Sequence, residues 1–164
     1  MKRRHLLGIA LSIATVALAA AGCGGGGSSS GSTAKTMSKA EFATAMDDLC
    51  SSATASTSGL GEVQGMEDLA SIGPGYLIAL ERVVDDLDDL EPPAEIRTQV
   101  EDYISNTEKL IDAMGGLIAV AKKNDSEAYV KLTESAGPEV QEMSTAVDAA
   151  ANAIGAPACT AAGV

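Results

Sequence analysis

Apolar side chains recur at steps of three and four residues from Phe42 to Ile154, and no stretch alternates long enough to make a convincing strand. That period admits amphipathic helices and little else. Phe42, Met46, Leu49, Cys50 and Ala53 stripe a first helix over about 39–55. Ser38 and Glu41 stand at capping-box spacing before it, and Met37 and Phe42 can staple across the cap. A Ser/Thr/Gly-rich loop follows. Leu69, Ile72, Tyr76, Leu80, Val83, Leu87 and Leu90 then form a seam over 66–90. Pro92-Pro93 ends that helix and opens another over 94–122, with Ile96, Val100, Ile104, Ile111, Met114 and Ile118 inward. Asn124, three residues before Glu127, marks the next start. The last helix, 125–154, carries Tyr129, Leu132, Ala136, Val140, Met143, Val147, Ala150 and Ile154 before Gly155 and Pro157 stop it. The spacing predicts an all-α, up-down four-helix bundle over 38–160, with a short tail at 161–164.

Composition agrees. The 164 residues suit one domain, and 46% hydrophobic content excludes a fully disordered chain. Aromatic residues make up 2%, too few for the aromatic and β-branched surfaces of a sandwich or barrel. A net charge of −12 argues against a nucleic-acid partner, which needs clustered Lys and Arg for phosphate contacts.

The first residues read as an address. Lys2, Arg3 and Arg4 precede an apolar run over 6–21, shorter than the ~20 residues a spanning helix needs. Ala20-Ala21-Gly22-Cys23 resembles the lipobox of bacterial lipoproteins, although Ala20 stands where Leu is usual. The resemblance implies a signal peptide over 1–22 and acylation of Cys23, hence a lipid-anchored protein facing the extracytoplasmic side of the cell membrane. The alternative is ordinary cleavage after Ala21, leaving Cys23 a stray thiol. Residues 24–27 are all glycine, followed by a Ser/Gly stretch, so 23–37 reads as lipidated Cys plus tether with an r.m.s. span of about 20 Å.

Removing the signal leaves eight basic residues against 23 acidic ones, a net charge of −15. It also removes His5, the single histidine, so Ser-His-Asp and Cys-His constellations and His-built zinc sites cannot be assembled. Cys50 and Cys159 remain, and in an exported chain two such cysteines read as a disulfide; two unrelated buried thiols are the alternative. Gly-rich phosphate-binding spacings are absent, and a two-carboxylate hydrolase would want aromatic platforms that this chain lacks. The expectation is no enzyme, no cofactor and no metal.

Two features suggest binding. Gly73-Pro74, Gly115-Gly116 and Gly137-Pro138 fall at one height in antiparallel helices, which marks Tyr76, Met114 and Val140 as a candidate pocket for a small apolar ligand. The same glycines serve equally to let helices approach closely. Glu81, Asp85, Asp88 and Asp89, with Asp86 and Glu91, crowd one side of the second helix. They read first as a solvated face that keeps the protein soluble and off anionic lipid, and second as a docking face for a basic partner or weak Ca²⁺. Two internal echoes, residues 40–51 with 94–105 and Ser-x-Gly-Pro at Ser71 and Ser135, fit a duplicated hairpin but fit convergent amphipathic helices better.

Lys39-Ala40-Glu41-Phe42 leading to Asp47-Asp48-Leu49-Cys50, Leu90-Glu91-Pro92-Pro93-Ala94 and a terminal Cys159 together resemble a family of small exported actinobacterial helical lipoproteins. That resemblance implies a helical bundle with a Cys50–Cys159 disulfide and supplies no catalytic residues. The expected function is a non-enzymatic, membrane-anchored binding or interaction module with an envelope protein partner. Two alternatives are a carrier of a small apolar or lipidic ligand between kinked helices, and a structural envelope component.

Overall fold

Ser38 closes a reciprocal cap at the start of the first helix: its Oγ accepts from the Glu41 N–H, and its own N–H donates to the Glu41 carboxylate at 2.9 Å. The computed structural model describes residues 37–160. The expected signal peptide over 1–22, Cys23, the expected tether up to residue 36 and the tail at 161–164 lie outside the described residues. Four helices follow, α1 (Lys39–Thr57), α2 (Met66–Asp88), α3 (Arg97–Lys122) and α4 (Ser126–Ile154), then a 3-10 turn at Pro157–Cys159. Consecutive helices pack side by side, α1 on α2, α2 on α3 and α3 on α4, and the 3-10 turn returns to α1. Gly73 of α2 faces Ile118 of α3 while Leu77 faces Gly115, so these two helices run antiparallel. The all-α bundle expected from the spacing is what forms.

Two boundaries differ from expectation, each for a local reason. After Pro92-Pro93 the chain makes a turn, with the Ile96 N–H donating to the Pro93 carbonyl at 3.0 Å. This buries Ile96 to 2% exposure and delays α3 to Arg97. At the next junction Asn124 adopts φ 55°, a left-handed conformation that ends α3 and prevents it from capping α4. Asp125 is the cap instead, its carboxylate accepting from the Ala128 N–H at 3.0 Å. Pro74 and Pro138 lie inside α2 and α4, and both helices continue through them.

The buried side chains form two clusters. The larger takes Phe42, Met46, Cys50 and Ala53 from α1 and packs them on Ala79, Val83 and Leu87, on Val100 and Tyr103, and on Val147, Ala151 and Ile154. The smaller, Leu69, Ile118 and Ala121 with Met66, Leu77, Met114 and Tyr129 against it, draws on α2, α3 and α4 alone. With 19 residues, α1 is shorter than its neighbours of 23, 26 and 29, and all its buried apolar residues lie in the larger cluster. The seam of α2 is broader than its period indicated. Leu80 is half-buried, whereas Ala79, Val84 and Gly73 are buried because α2 is flanked on both sides, by α1 and α3.

Candidate functional site

Cys50, on the buried face of α1, bonds to Cys159 of the 3-10 turn across 109 residues of sequence. Both sulfurs belong to residues at most 1% exposed. Asp47, one turn before Cys50, accepts from the Ala158 N–H at 2.8 Å, so the turn is held by a bond and a clamp from one helix. Cys159 Sγ also lies 3.2 Å from the Met46 carbonyl oxygen, a contact without a donated proton because a disulfide sulfur carries none.

Tyr103 meets this bond from α3. Its hydroxyl lies 3.8 Å from Cys50 Sγ, and since the disulfide has no S–H to give, the phenol is the donor. Burial pushes its pKa up to about 12, a neighbouring Thr107 hydroxyl works against that rise, and the Asp148 carboxylate adds to it. A phenol held neutral at every physiological pH is a packing group here and makes a poor general base.

Two of the clefts on the described surface lie beside residues already named. The first, about 570 Å³, lies between the N-terminal half of α1 and the end of α4, lined by Lys39, Ala40, Ala43, Thr44, Asp47, Asp48, Ile154 and Gly155. Gly155 ends α4 at φ 98°, its N–H and that of Ala156 both donating to the Ala151 carbonyl at 2.9 Å. Lys39 Nζ donates to the Ala153 carbonyl oxygen at 2.9 Å, which sets an ammonium on the negative end of the α4 dipole. The second cleft, about 380 Å³, runs between α3 and α4 past Lys109, Asp112, Ala136, Val140 and Met143.

The residues singled out by sequence are distributed as follows. Of the candidate pocket, Val140 lines the second cleft; Tyr76 and Met114 line neither. The Tyr76 hydroxyl donates to the Gly61 carbonyl at 2.7 Å, tying α2 to the preceding loop. Met114 packs against the smaller cluster. The glycines near them receive neighbours: a Cβ on Gly73 would stand 2.8 Å from Ile118 Cγ1, and one on Gly75 2.7 Å from Leu60 Cδ1. Glu81, Asp85, Asp88 and Asp89 are all exposed, and their spacing puts them on one flank of α2. Among the described residues no group of three or more His, Cys, Asp or Glu is placed to hold a metal ion, and no helix is long and apolar enough to cross a membrane.

Comparison with protein-family models, with curated proteins and with solved structures returns no match. The first cleft escapes sequence reading because its two walls are about a hundred residues apart, and its polar members fall off the apolar period.

Proposed function

We propose that this protein is a non-enzymatic interaction module of the cell envelope, anchored through lipid on Cys23 and facing the extracytoplasmic side. Three supports differ in kind. The lipobox-like Ala20-Ala21-Gly22-Cys23 and the Gly/Ser stretch after it supply an anchor and a leash that ends where the described domain begins. A fully buried Cys50–Cys159 bond suits a chain that matures in an oxidising compartment. The likeness to small exported actinobacterial helical lipoproteins points the same way.

The observation that carries the binding reading is the α2 flank. Glu81, Asp85, Asp88 and Asp89 stand exposed towards the C-terminal end of the helix, and no basic residue occupies its last turn. Negative charge there opposes the helix dipole, and like charges at i and i+4 repel, by about 0.2–0.5 kcal/mol per pair. Local stability therefore disfavours this face, while its net negative field, which the exposed Arg82 offsets only in part, attracts a basic protein partner over a Debye length of about 8–10 Å.

Crosslinking in native membranes is the test. The full chain should capture a specific partner, and changing Glu81→Gln, Asp85→Asn, Asp88→Asn and Asp89→Asn together should abolish capture while the fold is retained. Capture that is indifferent to those four changes would refute the acidic face. Cys23→Ser should release the protein from the membrane fraction; retention would refute the anchor.

A further inference from the structure

We propose that the cleft between α1 and the end of α4 is the seat for a lysine or arginine side chain presented by a basic partner segment. The proposal rests on the interaction-module reading above and names the point of grip.

Its accessible floor is apolar and small, made of Ala40 and Ala43, which suits the aliphatic stem of a Lys or Arg laid along it. Its rim is electronegative. Two carboxylates, Asp47 and Asp48, stand against one ammonium, Lys39, and that ammonium already donates to the Ala153 carbonyl oxygen at 2.9 Å. Asp47 spends one oxygen on the Ala158 N–H at 2.8 Å, whereas Asp48 is exposed. The C-terminal end of α4 adds its partial negative charge to the same rim, and the positive end of the α1 dipole, at Lys39 and Ala40, offsets part of it away from Asp48.

Lys39 shows the chemistry in place. A primary ammonium from one helix sits on the carbonyl end of another, beside a floor that its methylenes can cover. A second cation arriving from outside would find Asp48 and the outer oxygen of Asp47, with room of about 570 Å³ for its stem and flanking backbone. The α2 flank draws the basic segment in from a distance, and the cleft holds it at contact range.

The experiment uses the full-length protein, purified in detergent and ¹⁵N-labelled, titrated with the blocked peptide acetyl-Ala-Lys-Ala-Arg-Ala-amide at low and at physiological salt. Amide shifts should concentrate at Ala40, Ala43, Thr44, Asp48 and Gly155, and weaken with salt. Asp48→Asn and, separately, Ala43→Leu, which fills the floor, should each lower affinity by about tenfold, the amount expected for one ion contact or one lost stem site. Circular dichroism melts identify any variant that fails to fold, and Asp48→Asn, at an exposed position, keeps the test open if Ala43→Leu does. Shifts centred on Glu81, Asp85 and Asp88, with both cleft variants binding normally, would overturn the cleft and leave the interaction module standing. No shifts anywhere, together with no crosslinked partner in membranes, would overturn both.

Discussion

Tyr103 concentrates several forces in one side chain. It is 2% exposed, its hydroxyl faces the disulfide, and burial lifts its pKa to about 12. Below pH 10 folded and unfolded chains both keep the phenolic proton. Between pH 10 and 12 the unfolded chain loses it first, so the native state binds more protons and stability falls as pH rises. The loss should total about 2–3 kcal/mol and level off above pH 12. Urea unfolding from pH 9 to 12 should show this decline in the wild type and not in Tyr103→Phe. An equal decline in both would remove Tyr103 as its source. Sequence periodicity chose Ile104 for the inward position and passed over Tyr103. A tyrosine with a polar tip reads as amphipathic, and the partner that satisfies that tip belongs to a disulfide spanning the whole domain.

Helices were the most legible level, because a period of 3.6 residues writes the buried stripe directly into the order of side chains. Their ends were less so. The start of α3 moved to Arg97 through a turn that Pro92-Pro93 concealed, and Asn124 proved to be a left-handed stop for α3. The glycines within helices divide by what they face. A methyl on Gly73 would collide with Ile118, whose β-branched side chain has few rotamers to escape into, whereas a Cβ on the exposed Gly116 of α3 would meet Leu132 Cδ2 at 3.9 Å, an ordinary contact. Gly116→Ala should therefore raise stability by about 0.5–1 kcal/mol through helix propensity. Gly73→Ala should lower it by about 1 kcal/mol, since overpacking of about 1–3 kcal/mol outweighs the same gain. Thermal melts of the two variants should move in opposite directions; a rise for both would mean that α2 and α3 separate easily at Ile118.

The four helices meet as a bundle of unequal depth. The shortest helix, α1, contributes its buried apolar residues to one cluster only, and its junction with the 3-10 turn is covalent. Closing a loop of this length restricts the unfolded chain by about 4–5 kcal/mol in the entropic model. Changing Cys50→Ser and Cys159→Ser together should forfeit about that much, read as a lowered denaturant midpoint, and reducing agent should reproduce the shift only under partly unfolding conditions because both sulfurs are buried. The pairing was legible from counting cysteines, and the α1–α4 cleft was not, since it exists only once the first and last helices lie together. The same bond governs how the molecule carries load. Tension applied between residue 37 and residue 160 passes along α1 to Cys50, crosses to Cys159 and leaves, so α2, α3 and α4 hang as a slack loop beside the load path. A domain pulled by its two ends would bear the strain on a dozen residues of α1 and one sulfur–sulfur bond, while most of its packed core feels none of it.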